Sequence, residues 1–417
     1  MWRKFPYPYR AIVTISNDID GLSFQHFVEL HRFLNTSQDT ALGQGLNLDV
    51  SDSFWFFSCK PEINDSFTYF DGLSFEPSRY APLIRELVHE GLLDVLHTWG
   101  NFSQRGGFER KYAAKAFEEM TGWKRKPLIW SDHGDIHNLQ NLGEGLGDRK
   151  RVSDGTGKEQ TVLEYHSDLL TQVGIVFCWT GNHVTPVWGQ ERPIPFFEKI
   201  RAFPTEMTLP RKIIQGTRFF LQGTDQAPIL RRGNLRDGYP IWFFTRYLAD
   251  WSRTKTEDLG GMLSSVFLDD LERMRGITLI LIHFGFGRQF PDLSPETISG
   301  LRELSQREQN GKILVMSTER LLLYLLAQRE LQVEVLEEYP MRVLSLRWPP
   351  TIPESIKRRG AQALHGLTFY VDKPETCSVL YDGKPLPVHQ NFKDEDGRYS
   401  VTINSWTKSS VFASLKV

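Results

Sequence analysis

Short, uniformly apolar runs alternate along the chain with stretches whose apolar residues recur at helical spacing. Ala11–Ile15 (AIVTI) reads as a strand, and Phe24–Leu34 places its apolar residues on one helix face. Phe54–Ser58 (FWFFS) reads as a second strand. Pro77–Glu90 follows as a helix, with Leu83, Ile84, Leu87 and Val88 on one side and Gly91 placed to cap it. Leu93–His97 is a third strand, Lys111–Thr121 a helix, and Pro127–Ser131 and Val173–Trp179 the fourth and fifth strands. Ile277–His283 (ITLILIH) is the clearest buried strand. Pro295–Gln309 is a helix with Ser294 at its N-cap, Ile313–Met316 a strand, and Thr318–Gln328 a helix.

Strands that are apolar throughout and separated by helices suit a parallel sheet covered on both faces. More than five such units argue for a barrel or partial barrel. In such folds the chemistry lies on the loops that follow the strands' C-terminal ends. Two regions break the pattern. Asn138–Gln160 is rich in Gly and charge and reads as a lid or a tolerated insertion. From Leu331 onward the helices stop, and short alternating strands between Pro, Gly and Asp turns predict a small all-β, sandwich-like unit over 331–417.

Composition narrows the class. Among 417 residues, 40% are hydrophobic and 24% charged, as in an ordinary globular chain. Lys+Arg (49) nearly balance Asp+Glu (51), so no bulk charge argues for nucleic acid as a partner. No run approaches the roughly 18 apolar residues of a transmembrane helix. Cys59, Cys178 and Cys377 are far apart and odd in number, which favours a reducing compartment over a disulfide framework. The opening MWRKFPYPYR lacks the apolar run of a signal peptide, so a cytoplasmic location is expected. Aromatic residues reach 12%, with 11 Trp, which fits either a large core or surfaces that stack on sugar rings.

The polar residues at the strand ends carry the candidate chemistry. The first strand runs into Ser16-Asn17-Asp18-Ile19-Asp20-Gly21, where an extended chain turns Asp18 and Asp20 to the same side. The third ends in His97-Thr98-Trp99-Gly100-Asn101, and the fourth in Trp130-Ser131-Asp132-His133, with His137 four residues on. The fifth leads to Trp179 and His183, and the late strand to His283. Each histidine alone is more often structural than functional. Together, His97, His133, His137, His183 and His283 fall on one predicted rim, and with the nearby carboxylates they form an O/N set suited to Zn²⁺ or another divalent ion.

These motifs resemble the polysaccharide deacetylase superfamily, with its NodB-homology or carbohydrate esterase family 4-like fold. That family's first motif is a strand ending in Thr-Phe-Asp-Asp-Gly, and here Thr14 to Gly21 carries Asp20 before the glycine. Its second motif is His-Ser/Thr-x-x-His, which here reads His97-Thr98-Trp99-Gly100-Asn101. Leu281-Ile282-His283 is similar to its late Leu-His strand, and Val176–Trp179 to its tryptophan-bearing strand. The resemblance implies an α/β fold with a distorted (β/α)7-type barrel over 1–330, followed by the small all-β domain. It implies a metal-dependent hydrolase removing acetyl or similar acyl groups from a sugar or polysaccharide. Asp20 and His97 would be metal ligands, and His283 the general acid. Two positions depart from the motifs. Asn101 stands where the second histidine belongs, and Ile19 stands where the family carries its base.

On this reading the ligand set is drawn from Asp20, His97, Asn101 and His133, with Asp132 or His137 as other replacements for the missing histidine. Asp18 takes the role of base, and Trp99, Trp130, Asp132 and Trp179 flank the carbohydrate. Two alternatives stand beside it. One is a non-catalytic carbohydrate-binding protein on a degenerate deacetylase barrel. The other is a glycosidase using two carboxylates such as Asp18 and Asp132.

Overall fold

The computed structural model describes residues 2–60, 67–102, 108–133, 140–142, 166–180, 189, 229–235, 238–248, 254–338, 341–404 and 407–415. Its centre is a nine-stranded sheet. In chain order the strands are β1 (Ala11–Asn17), β2 (Ser51–Phe54), β3 (Leu93–Leu96), β4 (Ile129–Ser131), β5 (Phe177–Trp179), β6 (Leu230–Asn234), β7 (Pro240–Phe244), β8 (Ile277–Ile282) and β9 (Ile313–Val315). They lie in the order β6-β7-β5-β4-β3-β2-β1-β8, with β9 also pairing β1. Every pairing is parallel except β6 with β7. The helices among these strands are α1 (Phe24–Asn35), α2 (Ala81–Glu90), α3 (Arg110–Thr121), α4 (Ser167–Val173), α5 (Asp258–Met262), α6 (Ser265–Arg273), α7 (Pro295–Gln309) and α8 (Thr318–Glu330). The protein is thus a mixed α/β molecule built on a parallel sheet.

The apolar runs become central strands because both sheet faces are covered. All seven residues of β1 are buried. Ala11, Val13 and Ile15 join one apolar cluster with Phe27, Ile84, Leu87 and Leu301 from the helices, while Ile12 joins a second with Phe5, Leu314, Leu321 and Leu322. This second cluster continues into Leu344, Leu346, Phe369 and Val401 of the C-terminal strands. Side chains alternate between clusters because strand periodicity is two. The local signals act where they stand. Ser294 Oγ accepts the Thr297 amide at 3.1 Å and starts α7, and Gly91, with φ of 77°, ends α2.

Several elements differ from expectation. The second main-sheet strand is Ser51–Phe54, not Phe54–Ser58. Its Ser-Asp-Ser segment is polar yet buried and hydrogen-bonded, which hides it from a hydrophobic pattern. The chain leaves the sheet at Trp55, and Phe57–Ser58 forms a separate two-residue ladder with Gly100–Asn101. The helix expected from Pro77 begins at Ala81. Val173 closes α4, Gly174 turns the chain with φ of 104°, and the strand starts at Phe177. β6, β7, α5 and α6 had no forecast. The named strands do not close into a ring among the described residues. Beyond β7, however, Tyr247 makes a parallel bridge to Ile280 of β8: its amide donates to Leu279 O at 2.7 Å, and its carbonyl accepts the Leu281 amide at 2.9 Å.

The C-terminal strands are β10 (Gln332–Glu338), β11 (Met341–Arg347), β12 (Thr368–Tyr370), β13 (Cys377–Tyr381), β14 (Lys384–Leu386), β15 (Val388–Asn391) and β16 (Ser400–Ile403). They form a four-stranded sheet, β10-β11-β13-β14, and a three-stranded sheet, β12-β16-β15. Two short helices, α9 (Glu354–Lys357) and α10 (Val411–Ser414), accompany them. The two halves are stitched together. Trp2 bridges Phe369, and the fully buried Arg3 donates to the carbonyls of Phe5, Pro6 and Tyr9 and to Asp394. At the other end Phe412 of α10 packs on Phe27 and His31 of α1. The three cysteines are free, and no helix among the described residues is long and apolar enough to cross a membrane.

Candidate metal centre

The parallel strands bring their C-terminal ends to one edge, and the loops there carry the charged residues. After β1 the chain is pinned by the Ile19 amide donating to Ser53 Oγ at 3.0 Å. Gly21 then takes φ of 72° beside Gly285 of the loop after β8. A Cβ on Gly285 would lie 2.1 Å from Asp20 O, so only glycine lets these two loops touch. After β3, His97 is followed by Thr98 with φ of 55°, an unusual backbone state for a β-branched residue. The Thr98 amide donates to Ser131 O at 3.1 Å and ties this loop to the end of β4.

Here Asp20, His97 and His133 converge. His97 Nε2 lies 3.0 Å from Asp20 Oδ2, and His133 Nε2 lies 3.1 Å from Asp20 Oδ1. On its other side, His97 Nδ1 lies 4.0 Å from Asp18 Oδ1. Asp18 is held by Arg246 Nη1, at 2.9 Å from Oδ1 and 3.0 Å from Oδ2. The Arg246 guanidinium is fully buried and lies over the Trp179 ring, 4.7 Å from its centroid. Trp55 stacks on His97 with centroids 5.4 Å apart and planes 11° apart, and touches His133 as well.

The electrostatics follow from this packing. Burial works to raise the Asp20 pKa, yet the two histidines beside it hold the carboxyl well below its ordinary value. Burial works to lower the His97 pKa, but Asp18 and Asp20 outweigh it and raise the value. His283 goes the other way. Burial lowers its pKa, only partly offset by Asp20 and Asp18, and its Nδ1 lies 3.4 Å from Thr254 O.

One ligand atom each from Asp20, His97 and His133 falls within 4.8 Å of the others, close enough to hold one metal ion. Bonds of about 2.0–2.1 Å to a tetrahedral ion set ligand atoms roughly 3.4 Å apart. The 3.0 and 3.1 Å nitrogen–oxygen separations run to different oxygens of Asp20, and the three ligand atoms one ion would share lie within 4.8 Å of one another. Two nitrogens and one carboxylate oxygen suit Zn²⁺ or a similar borderline ion.

The remaining candidates are placed as follows. Asn101 sits in the short ladder opposite Ser58. Trp99 and Trp130 are wholly buried, edge to face at 5.7 Å, so neither ring is open to a sugar. Asp132 serves the fold, since its Oδ1 accepts from Trp130 Nε1 at 2.7 Å and from the Leu142 amide at 2.9 Å. One face of Trp179 is covered by Arg246. His137 and His183 lie outside the described residues. Arg246 and Trp55 were missed: Arg246 is 228 residues from its partner with no local signal, and Trp55 was absorbed into an apolar run.

Fold and centre together define an α/β protein with a His/Asp group able to hold a metal ion. Compared with known proteins, the chain matches no family model, no curated protein and no solved structure.

Proposed function

We propose that the protein is a divalent-metal-dependent hydrolase that removes acetyl or similar acyl groups from a carbohydrate, on a distorted (β/α) barrel of the polysaccharide deacetylase kind. The observation that carries this reading is the convergence of Asp20, His97 and His133 at the C-terminal edge of a parallel sheet. The Tyr247–Ile280 bridge supports the barrel, because it links the segment after β7 to β8 at the opposite side of the strand order. When bound, the metal supplies Lewis acidity toward an acyl oxygen and toward water. His133 takes the ligand position that Asn101 leaves open.

The chain's own residues complete the chemistry. Arg246 fixes both oxygens of Asp18, and that carboxylate accepts the proton of the attacking water. With its Nδ1–H facing Thr254 O, neutral His283 presents Nε2 as an acceptor, and a proton taken up there would pass to the leaving amine or alkoxide. Asp132 Oδ1, which the two-carboxylate alternative would use, is engaged by Trp130 and Leu142.

The test is metal content after purification without chelators. Wild type should carry about one divalent ion per chain. Asp20→Ala, His97→Ala and His133→Ala should each lose it, and Asn101→Ala should retain it. No metal in wild type after addition of Zn²⁺, Co²⁺ or Ni²⁺ would overturn the reading. Metal lost in Asn101→Ala but kept in His133→Ala would overturn the ligand assignment.

A further inference from the structure

Two adjacent amides hold the loops that carry His97 and His133. Gln140 and Asn141 fall in the stretch whose composition reads as a lid or insertion, yet they are 0% and 1% exposed. Gln140 Oε1 accepts the Trp99 amide at 2.8 Å, and its Nε2 donates to Gly100 O at 2.7 Å. One residue on, Asn141 Oδ1 accepts the His133 amide at 3.0 Å, and its Nδ2 donates to His133 O. Each side chain therefore pairs with the backbone as a peptide group of a neighbouring strand would. The partners fix both amide orientations, since each oxygen meets an N–H and each NH₂ meets a carbonyl. The brace is itself anchored. The Leu142 amide donates to Asp132 Oδ1, and His166 receives Trp99 Nε1 on its Nδ1 at 3.1 Å, which leaves its Nε2–H to donate to Gln140 O at 2.8 Å.

We infer that Gln140 and Asn141 are positioning residues that set the spacing between the His97 and His133 ligand loops. The inference rests on the metal reading above. Its physical basis is selective. The residues after β3 and after β4 come from separate loops, and neither loop alone fixes the distance between the two rings. Consecutive side chains of one buried segment, each bonded to both an amide and a carbonyl, set that distance without touching the ions' ligand atoms. Outer partners of metal ligands characteristically tune affinity by about 10- to 100-fold.

The experiment is Co²⁺ titration of the full chain, read by the visible ligand-field bands and by thermal unfolding. Gln140→Glu and Asn141→Asp keep shape but turn an N–H donor into an oxygen facing a carbonyl. Each should weaken Co²⁺ binding by about 10- to 100-fold and alter the band intensities that report coordination geometry. Asn391→Asp is the control. It removes amide bonds to Ser400 and Thr402 in the distant three-stranded sheet, and should change Co²⁺ affinity less than about twofold. If an acid variant does not fold, Asn141→Ala asks the same question without adding charge. Wild type that binds Co²⁺ while the brace variants bind it equally, with the same bands, overturns the inference and leaves the metal reading intact. Wild type that takes up no Co²⁺ overturns the metal reading and the brace with it.

Discussion

Two of the places where the molecule buries charge are finished differently. Beside β3 and at the start of α8, Glu319 is enclosed by guanidinium groups. Its Oε1 accepts from Arg125 Nη2 at 2.9 Å and Arg359 Nε at 2.7 Å, and its Oε2 accepts from Arg359 Nη2 at 3.1 Å. At the candidate centre the partners run out. Among the described residues, Arg246 Nε and Nη2, His97 Nδ1 and His133 Nδ1 are buried without a hydrogen-bond partner, as is Asp94 Oδ1 near the first cluster. Such omissions are costly in a low-dielectric interior. A saturated cluster holds the fold together, here linking the parallel sheet to the C-terminal segment through Arg359. The His/Asp group, by contrast, could hold a metal ion. Strand β3 contributes to both, with Asp94 at one end and His97 just past the other.

Glu319→Ala should break the comparison most forcefully. It leaves two guanidinium groups with no acid between them, and losing one partner of a buried pair costs about 3–5 kcal/mol. The lower end applies here because Arg125 reaches water. Urea unfolding should show that loss while metal content stays unchanged. A stability loss below about 1 kcal/mol would place this cluster among ordinary surface ion pairs.

The same cluster makes a pH prediction. Burial, reinforced by the Glu319 charge, pushes the Asp94 carboxyl up to about 7. Burial also works to raise Glu319, but Arg125 and Arg359 bring it down to about 2. For an acid whose folded pKa is raised, the folded state holds more protons than the unfolded one between the two values. The stabilisation is complete below the unfolded value near 3.8 and is lost as pH rises through about 7. Asp94→Asn keeps the acceptor for the Glu319 amide and removes the titration. Its stability relative to wild type should therefore rise from pH 4 to pH 8 by up to about 4 kcal/mol. Paired urea titrations at the two pH values measure this, and a constant difference would show that Asp94 does not titrate in that window.

The comparison also explains what the sequence could reveal. β1 and β8 are legible because burial on both faces demands unbroken apolar runs. Asp18, Asp20, His97, His133 and His283 stand out because a parallel sheet gathers its strand ends at one edge, so a short local motif suffices to find each. β2 was shifted because its buried Ser and Asp side chains accept hydrogen bonds from the Ile19 and Thr318 amides and from Asn17 and so do not look apolar. β6 escaped because a partly exposed antiparallel strand reads Leu-Arg-Arg-Gly-Asn. Arg246, Gln140 and Asn141 act across long separations or on backbone groups, and neither leaves a pattern of spacing. Tryptophan before and after the strand ends suggested sugar contact, yet packing consumed Trp99 and Trp130 entirely.

Thr98 offers the smallest effect and the sharpest separation of the two kinds of burial. Four non-glycine residues among those described have positive φ, namely Asn47, Thr98, Arg275 and Asp382, and Thr98 is the one with a branched Cβ. It follows His97 directly and is fully buried. Holding it there costs about 1–3 kcal/mol. Thr98→Gly removes that strain, loses the Thr98 Oγ1 bond to Gly100 O at 3.0 Å, and adds freedom to the unfolded chain. Each of these opposing terms is about 1 kcal/mol. Net stability should therefore move by no more than about 1 kcal/mol. The candidate metal centre has no such compensation, because the freed backbone lets the His97 ring leave the line between Asp18 and Asp20. Co²⁺ affinity should fall several-fold while the urea midpoint barely changes. If affinity holds and stability rises, the strain belongs to the fold rather than to the centre, and the contrast between the two buried clusters loses its clearest local support.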